Sequence, residues 1–175
     1  KQGQKVADIG CGFGRNTNFL GSRGVDVVGI NISSHELDIA KAKAKVENLN
    51  TSFVEGSATQ LPLADSSCDV AIDTGCSHML SAEDQVSAER EQARVVKPGG
   101  YLLYFGFSKE HPSAANNIDS PMYRSLEDIA KMYGADFEIV RSENIQWEPL
   151  PDEKANFSIH KGINVVMRRR PQLQA

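Results

Sequence analysis

Short, β-branched apolar runs recur along the chain and alternate with segments whose apolar residues fall three or four apart. Residues 6–9, 25–32, 51–55, 69–73 and 101–107 read as short buried strands. Gly14 and Arg15 open a helix over 15–20. Ser33 and Glu36 form a capping-box pair ahead of a helix whose narrow apolar face is Leu37, Ala40 and Ala44. Residues 61–67, Leu-Pro-Leu-Ala-Asp-Ser-Ser, read as turn and loop. Ser81 caps a helix that runs to about residue 96, where Lys97-Pro98-Gly99-Gly100 stops it. Ser125 caps a last helix, ended by Gly134. Residues 137–145 and 163–168 close the chain as two strands with no segment of helical period between them. Strand alternating with helix predicts a parallel sheet with helices on both faces. The closing pair predicts an antiparallel hairpin at one edge. The fold class is therefore α/β, a doubly wound, three-layer, mostly parallel sheet of seven strands. No repeat or linker divides it, so residues 1–175 read as one domain.

Composition narrows the partners. The chain is 40% hydrophobic and 24% charged with a net charge of -4, which disfavours nucleic acid, whose partners usually carry a basic footprint. Arg168-Arg169-Arg170 is the one basic run and reads as a solvated strand end. Three cysteines without C-x-x-C spacing suggest neither a disulfide framework nor a metal site, and a reducing, cytoplasmic compartment fits. No apolar run approaches the ~18 residues of a membrane span. The chain begins without Met and enters its first strand almost at once, as expected of a processed form or a fragment.

Candidate chemistry gathers after the first strand. Asp8-Ile9-Gly10-Cys11-Gly12-Phe13-Gly14 puts glycines at alternate positions, where a strand must turn into a helix and a ligand can approach the backbone. The helix that follows directs its free N–H groups at that ligand. A dinucleotide fingerprint needs glycine at position 15, and a P-loop needs a lysine after Gly14; the chain has Arg15 and no such lysine.

This stretch resembles the first motif of class I S-adenosylmethionine-dependent methyltransferases. The resemblance continues through 28–33 (Val-Gly-Ile-Asn-Ile-Ser), 54–58 (Val-Glu-Gly-Ser-Ala), Leu61-Pro62, 68–73 (Cys-Asp-Val-Ala-Ile-Asp) and 95–102 (Val-Val-Lys-Pro-Gly-Gly-Tyr-Leu). Residues 73–80, Asp-Thr-Gly-Cys-Ser-His-Met-Leu, are similar to a small-molecule subgroup related to thiopurine and other thiol methyltransferases. The resemblance implies S-adenosylmethionine as cofactor. Asp8, Gly10, Cys11, Gly12 and Gly14 would hold its methionine and ribose portions, Asn31 and Ile32 its ribose, and Ser57 and Ala58 its adenine. Asp73 and Thr74 would stand on the reaction side. Three positions depart from the family: Asn31 and Ser57 replace common acids, and Thr74 replaces the subgroup's Arg. Asn in place of a carboxylate turns a charged two-oxygen grip on the ribose into a weaker, mixed one. Helices that precede the first strand in the family are absent here.

Methyl transfer from a sulfonium is implied to proceed in line to a small soluble acceptor. A dedicated base matters for a hydroxyl acceptor and less for a thiol that ionises by itself. His78 is the candidate general base, since an ordinary imidazole takes a proton near neutral pH, and Asp73 is the second candidate catalytic group. Cys76 reads as a small buried hydrophobe. Met122, Tyr123, Trp147 and His111 fall in expected loops that can line an acceptor pocket. The Asn/Asp-Pro-Pro-Tyr motif of base-methylating enzymes does not follow the fourth strand. Two alternatives stay open: a nucleoside-binding or interaction module of the same fold that does not turn over, and a nicotinamide-dependent oxidoreductase, which Arg15 disfavours.

Overall fold

The computed structural model describes residues 3–148 and 159–171. In chain order the elements are β1 (Lys5–Ile9), α1 (Arg15–Gly21), β2 (Asp26–Asn31), α2 (Ser34–Val46), β3 (Thr51–Glu55) and β4 (Cys68–Thr74). They continue as α3 (Ala82–Val95), β5 (Val96–Ser108), β6 (Tyr123–Arg124), α4 (Leu126–Tyr133), β7 (Phe137–Trp147) and β8 (His160–Arg169). Single 3-10 turns at Ser77–Met79 and Pro112–Asn116 follow β4 and β5.

The strands form one sheet in the order β3-β2-β1-β4-β5-β8-β7. β1 to β5 pair in parallel, and β8 joins β5 and β7 antiparallel. The winding reverses between β1 and β4, and open α/β sheets bind ligands in the crevice beyond the strand ends at such a point. Period-two alternation sets the core. On β5, Leu102 and Tyr104 are buried against Ile129 and Tyr133 of α4, whereas Tyr101 and Leu103 on the other face are 37% and 38% exposed. On the opposite side α2 buries Leu37, Ala40 and Ala44, as the spacing predicts. Ala7 and Ala71 are 0% exposed, small side chains at the centre of the sheet that let helices lie close.

The structure departs from expectation in local ways. The sheet has eight strands, because Tyr123 and Arg124 pair with Phe107 and Ser108 as an added two-residue strand. β5 starts at Val96: Gly99 takes φ 79°, and the pairing jumps from Cys68–Val96 to Val70–Tyr101, so the Pro-Gly-Gly segment is absorbed as an irregularity within the strand. Trp147 ends β7 and does not lie in a loop. The expected loop between the two last strands falls largely outside the described residues. Ser33 accepts from Glu36 N at 3.3 Å, but the Glu36 carboxylate turns to Asn31, so this capping box is half made. The complete box stands at Ser125 and Asp128.

The basic run is not uniformly solvated. Arg168 is a surface residue, 4.0 Å from Glu138 and about half exposed. Arg169 is 12% exposed and folds inward: Nη1 donates to Asp136 Oδ1 at 2.7 Å and Asp136 O at 2.9 Å, and Nε donates to Ala93 O at 3.0 Å. No helix among the described residues is long and apolar enough to cross a membrane.

Candidate functional site

The three loop glycines have different reasons to be glycine. Gly10, Gly12 and Gly14 take φ of 70°, 51° and 75°, the left-handed region that L side chains avoid. A Cβ at Gly10 would lie 2.4 Å from Cβ and Sγ of Cys76, and one at Gly14 would lie 2.7 Å from Ala40 Cβ. Both positions are filled by the protein itself. A Cβ at Gly12 meets nothing within 4 Å, so Gly12 alone opens on free space. The turn is pinned by Gly10 N and Cys11 N, which both donate to Ile30 O at 2.8 and 3.0 Å.

Asp8 is 1% exposed and accepts from Thr17 Oγ1 at 2.6 Å. Burial pushes its carboxyl up from 3.8 and the Asp73 charge adds to this, while the bonds from Thr17 and the charge of Arg15 oppose it. Thr17 was not legible as a site residue: a threonine one turn into a helix gives no signal by type. Burial also raises the Cys11 and Cys76 thiols to about 12, which leaves both as packing groups.

At the end of β2, Asn31 Nδ2 donates to Glu36 Oε2 at 2.6 Å. Glu36, in the first turn of α2, thus brings a carboxylate to the end of β2. The sequence presented Glu36 only as half of a capping box. Ile32 beside Asn31 is 73% exposed, a large apolar side chain at the crevice rim. Beyond the end of the neighbouring strand β3, Ser57 Oγ shares a hydrogen bond with Thr59 Oγ1 at 2.8 Å and accepts from Thr59 N at 3.2 Å, so it is largely occupied by its own turn. Ala58 packs against the core.

Asp73 is wholly buried. Oδ1 accepts from Cys76 N and Ser77 N, each at 3.1 Å, and Oδ2 accepts from Gln92 Nε2 at 2.7 Å. Burial raises its pKa against the pull of these donors. Its oxygens are taken up by the protein. His78 is 4% exposed, stacked edge-on to Phe107 at 5.1 Å, and its Nδ1 has no partner among the described residues. Burial lowers its pKa from 6.5 to about 4, so the imidazole is neutral at physiological pH but weakly basic.

Thr74 lines a cleft of about 710 Å3 together with Arg15, Phe105, Arg141, Glu143 and Trp147. Of the four residues expected near an acceptor, Trp147 reaches this cleft. His111 and Tyr123 are sealed with His160 and Phe107 in a ring cluster. There Ser113 N donates to His111 Nδ1 at 3.1 Å, so the His111 hydrogen sits on Nε2 and is donated to His160 Nδ1 at 2.8 Å.

A doubly wound sheet with a glycine turn at its switch point and polar groups at the adjoining strand ends defines a Rossmann-like domain. The chain belongs to the methyltransferase domain family, whose pattern matches residues 7–104. It is 38% identical over 178 residues to methyltransferase GfsG of Streptomyces halstedii, covering 97% of this chain and 58% of that protein. It is 29% identical over 147 residues to the fatty-acid O-methyltransferase of Mycolicibacterium smegmatis, covering 80% of this chain and 50% of the relative. The chain therefore spans little more than half the length of these relatives. Among solved structures, an S-adenosylmethionine-dependent methyltransferase from Methanosarcina mazei superposes with a TM-score of 0.84 at 20% identity, over 98% of this chain and 95% of the other.

Proposed function

We propose that the chain transfers a methyl group from S-adenosylmethionine to a small-molecule acceptor. The observation that carries this is Gly12: one glycine of three faces open space, flanked by the Asn31–Glu36 pair and by buried Asp8. These residues fit the group. Asn31 Oδ1 and the Glu36 carboxylate offer acceptors for ribose hydroxyls, Asp8 gives the niche negative potential suited to a cation, and Ile32 with Ala58 offers apolar surface to adenine, with Ser57 at its edge. When bound, S-adenosylmethionine supplies a methyl group on a cationic sulfur that leaves as a neutral thioether.

The rest falls to orientation, worth ~7–11 kcal/mol at best. Asp73 holds the 74–78 loop and does not act on the acceptor. His78 is neutral, and its low basicity favours acceptors that ionise without a strong base. Acceptors reach the niche past Thr74 and Trp147, whose cleft mixes apolar walls with Arg15 and Arg141. Relatives named for fatty-acid and demethylmenaquinone methylation support an apolar acceptor, and the fatty-acid O-methyltransferase supports an ionisable oxygen on it. The negative net charge disfavours nucleic acid, and three free cysteines support a reducing, cytoplasmic setting. All described strands join one sheet, which supports a single domain.

Isothermal titration with S-adenosylhomocysteine tests this: heat with a 1:1 end point is expected, and none at millimolar ligand removes the proposal. A second reading, a nucleoside-binding module without turnover, is favoured by Ser57, whose hydroxyl serves its own turn. Methyl transfer to any member of a phenol, carboxylate and quinol panel would eliminate it.

A further inference from the structure

The cofactor loop and the reaction-side loop are braced from behind the sheet. Asp73 has donors on the loop that follows it, Cys76 N, Ser77 N and the Ser77 side chain, and a further one from α3, Gln92 Nε2. Gln92 is 0% exposed, and its Oε1 accepts from the Tyr133 hydroxyl of α4 at 2.8 Å; Tyr133 is 1% exposed. The direction of every bond is fixed: phenol to amide oxygen, amide nitrogen to carboxylate, loop N–H groups to carboxylate. A buried carboxylate without compensation would be costly. Here it is held by neutral dipoles alone, each dependent on the next. The loop so held carries Cys76, whose Cβ and Sγ occupy the space that any side chain at Gly10 would need. It also carries Gly75, which donates to Phe105 O at 3.1 Å, and His78.

We infer that Gln92, seated by Tyr133, is a positioning residue for the cosubstrate niche: it holds Asp73 so that the 74–78 loop backs the Gly10 turn in its binding geometry. The inference rests on the methyltransferase reading for what fills the niche. It assigns a binding role to two side chains of the rear helices that touch neither the niche nor the cleft.

Three variants test it. Gln92→Met keeps the length of the side chain and removes donor and acceptor; Tyr133→Phe removes only the outer hydroxyl. Amide hydrogen exchange of Cys76 and Ser77 is measured without ligand, and S-adenosylhomocysteine affinity by titration. For Gln92→Met, exchange at the two amides rises and affinity falls about tenfold, the size of one lost hydrogen bond to a charged group, while β1 and β2 amides stay protected. Tyr133→Phe moves both readouts the same way by less, and serves alone if Gln92→Met does not fold. Gln92→Glu rebuilds the bridge only while one proton is shared between the paired carboxyls. Its affinity relative to wild type therefore falls as pH rises through the loss of that shared proton, a dependence that a merely structural loss would not show. The titratable and charged groups around that position are Asp73 of β4, Cys76 of the loop after it, Asp8 of β1, Tyr104 of β5, Arg124 of β6, Tyr133 of α4 and Glu89 of α3. Unchanged exchange in a folded variant overturns the inference, as does faster exchange with undiminished affinity or a flat pH ratio for Gln92→Glu. Absence of binding to the wild type removes the methyltransferase reading; wild-type binding with undisturbed variants removes the bridge alone.

Discussion

Alanine at Gly10 and alanine at Gly12 ought to break different things, though the two sit two residues apart in one motif. At Gly12, φ is 51° and a Cβ meets nothing within 4 Å. The folding cost is the left-handed conformation alone, about 1–2 kcal/mol. At Gly10 the same conformational cost applies, and the Cβ falls 2.4 Å from both Cβ and Sγ of Cys76. Overpacking of that kind adds about 1–3 kcal/mol, for a total of roughly 2–5 kcal/mol. Affinity should run the other way. The Gly12 methyl points into the niche and should weaken S-adenosylhomocysteine by at least about tenfold, or about 1.4 kcal/mol. Urea unfolding followed by circular dichroism gives the first quantity and titration calorimetry the second. Adding Cys76→Gly should return the overpacking part to Gly10→Ala and nothing to Gly12→Ala, a coupling that a double-mutant cycle isolates. If Gly12→Ala proves as destabilising as Gly10→Ala, or binds ligand as tightly as wild type, the division of labour within the loop is wrong.

Glu36→Gln should weaken S-adenosylhomocysteine by about 1–2 kcal/mol, the difference between charged and neutral hydrogen bonds, and calorimetry showing equal affinity would leave Asn31 as the sole ribose contact. His78, held at about 4 against an ordinary 6.5, favours the folded state only while neutral. Its contribution is complete above pH 6.5 and is lost as pH falls toward 4, a change on the order of 3 kcal/mol. Urea midpoints at pH 7.5 and 4.5 should draw closer together in His78→Leu, and an unaltered gap would contradict the burial argument. Arg169→Ala should cost about 2–3 kcal/mol by stranding Asp136 and the Ala93 carbonyl, whereas Arg168→Ala should stay within about 0.5 kcal/mol; equal thermal shifts for the two would refute the distinction.

The sequence by itself determined the elements, their alternation and the place of the glycine turn. These follow from periodicity, caps and φ restrictions that act between neighbours in the chain, so Ser33, Ser81 and Ser125 all stand at helix starts as their types require. The added strand at Tyr123, the early start of β5 and the burial of Arg169 needed the sheet to be assembled first. The site divides the same way. Asp8, Asn31 and Asp73 are legible as polar ends of apolar strands, but tertiary packing decided what each does. Cys76 fills the space beside Gly10, Glu36 swings from its cap to Asn31, and Gln92 and Tyr133 reach Asp73 from two helices. Periodicity says which face of an element is wet. Only packing of distant segments says whether a glycine leaves room for a ligand or for a neighbouring side chain.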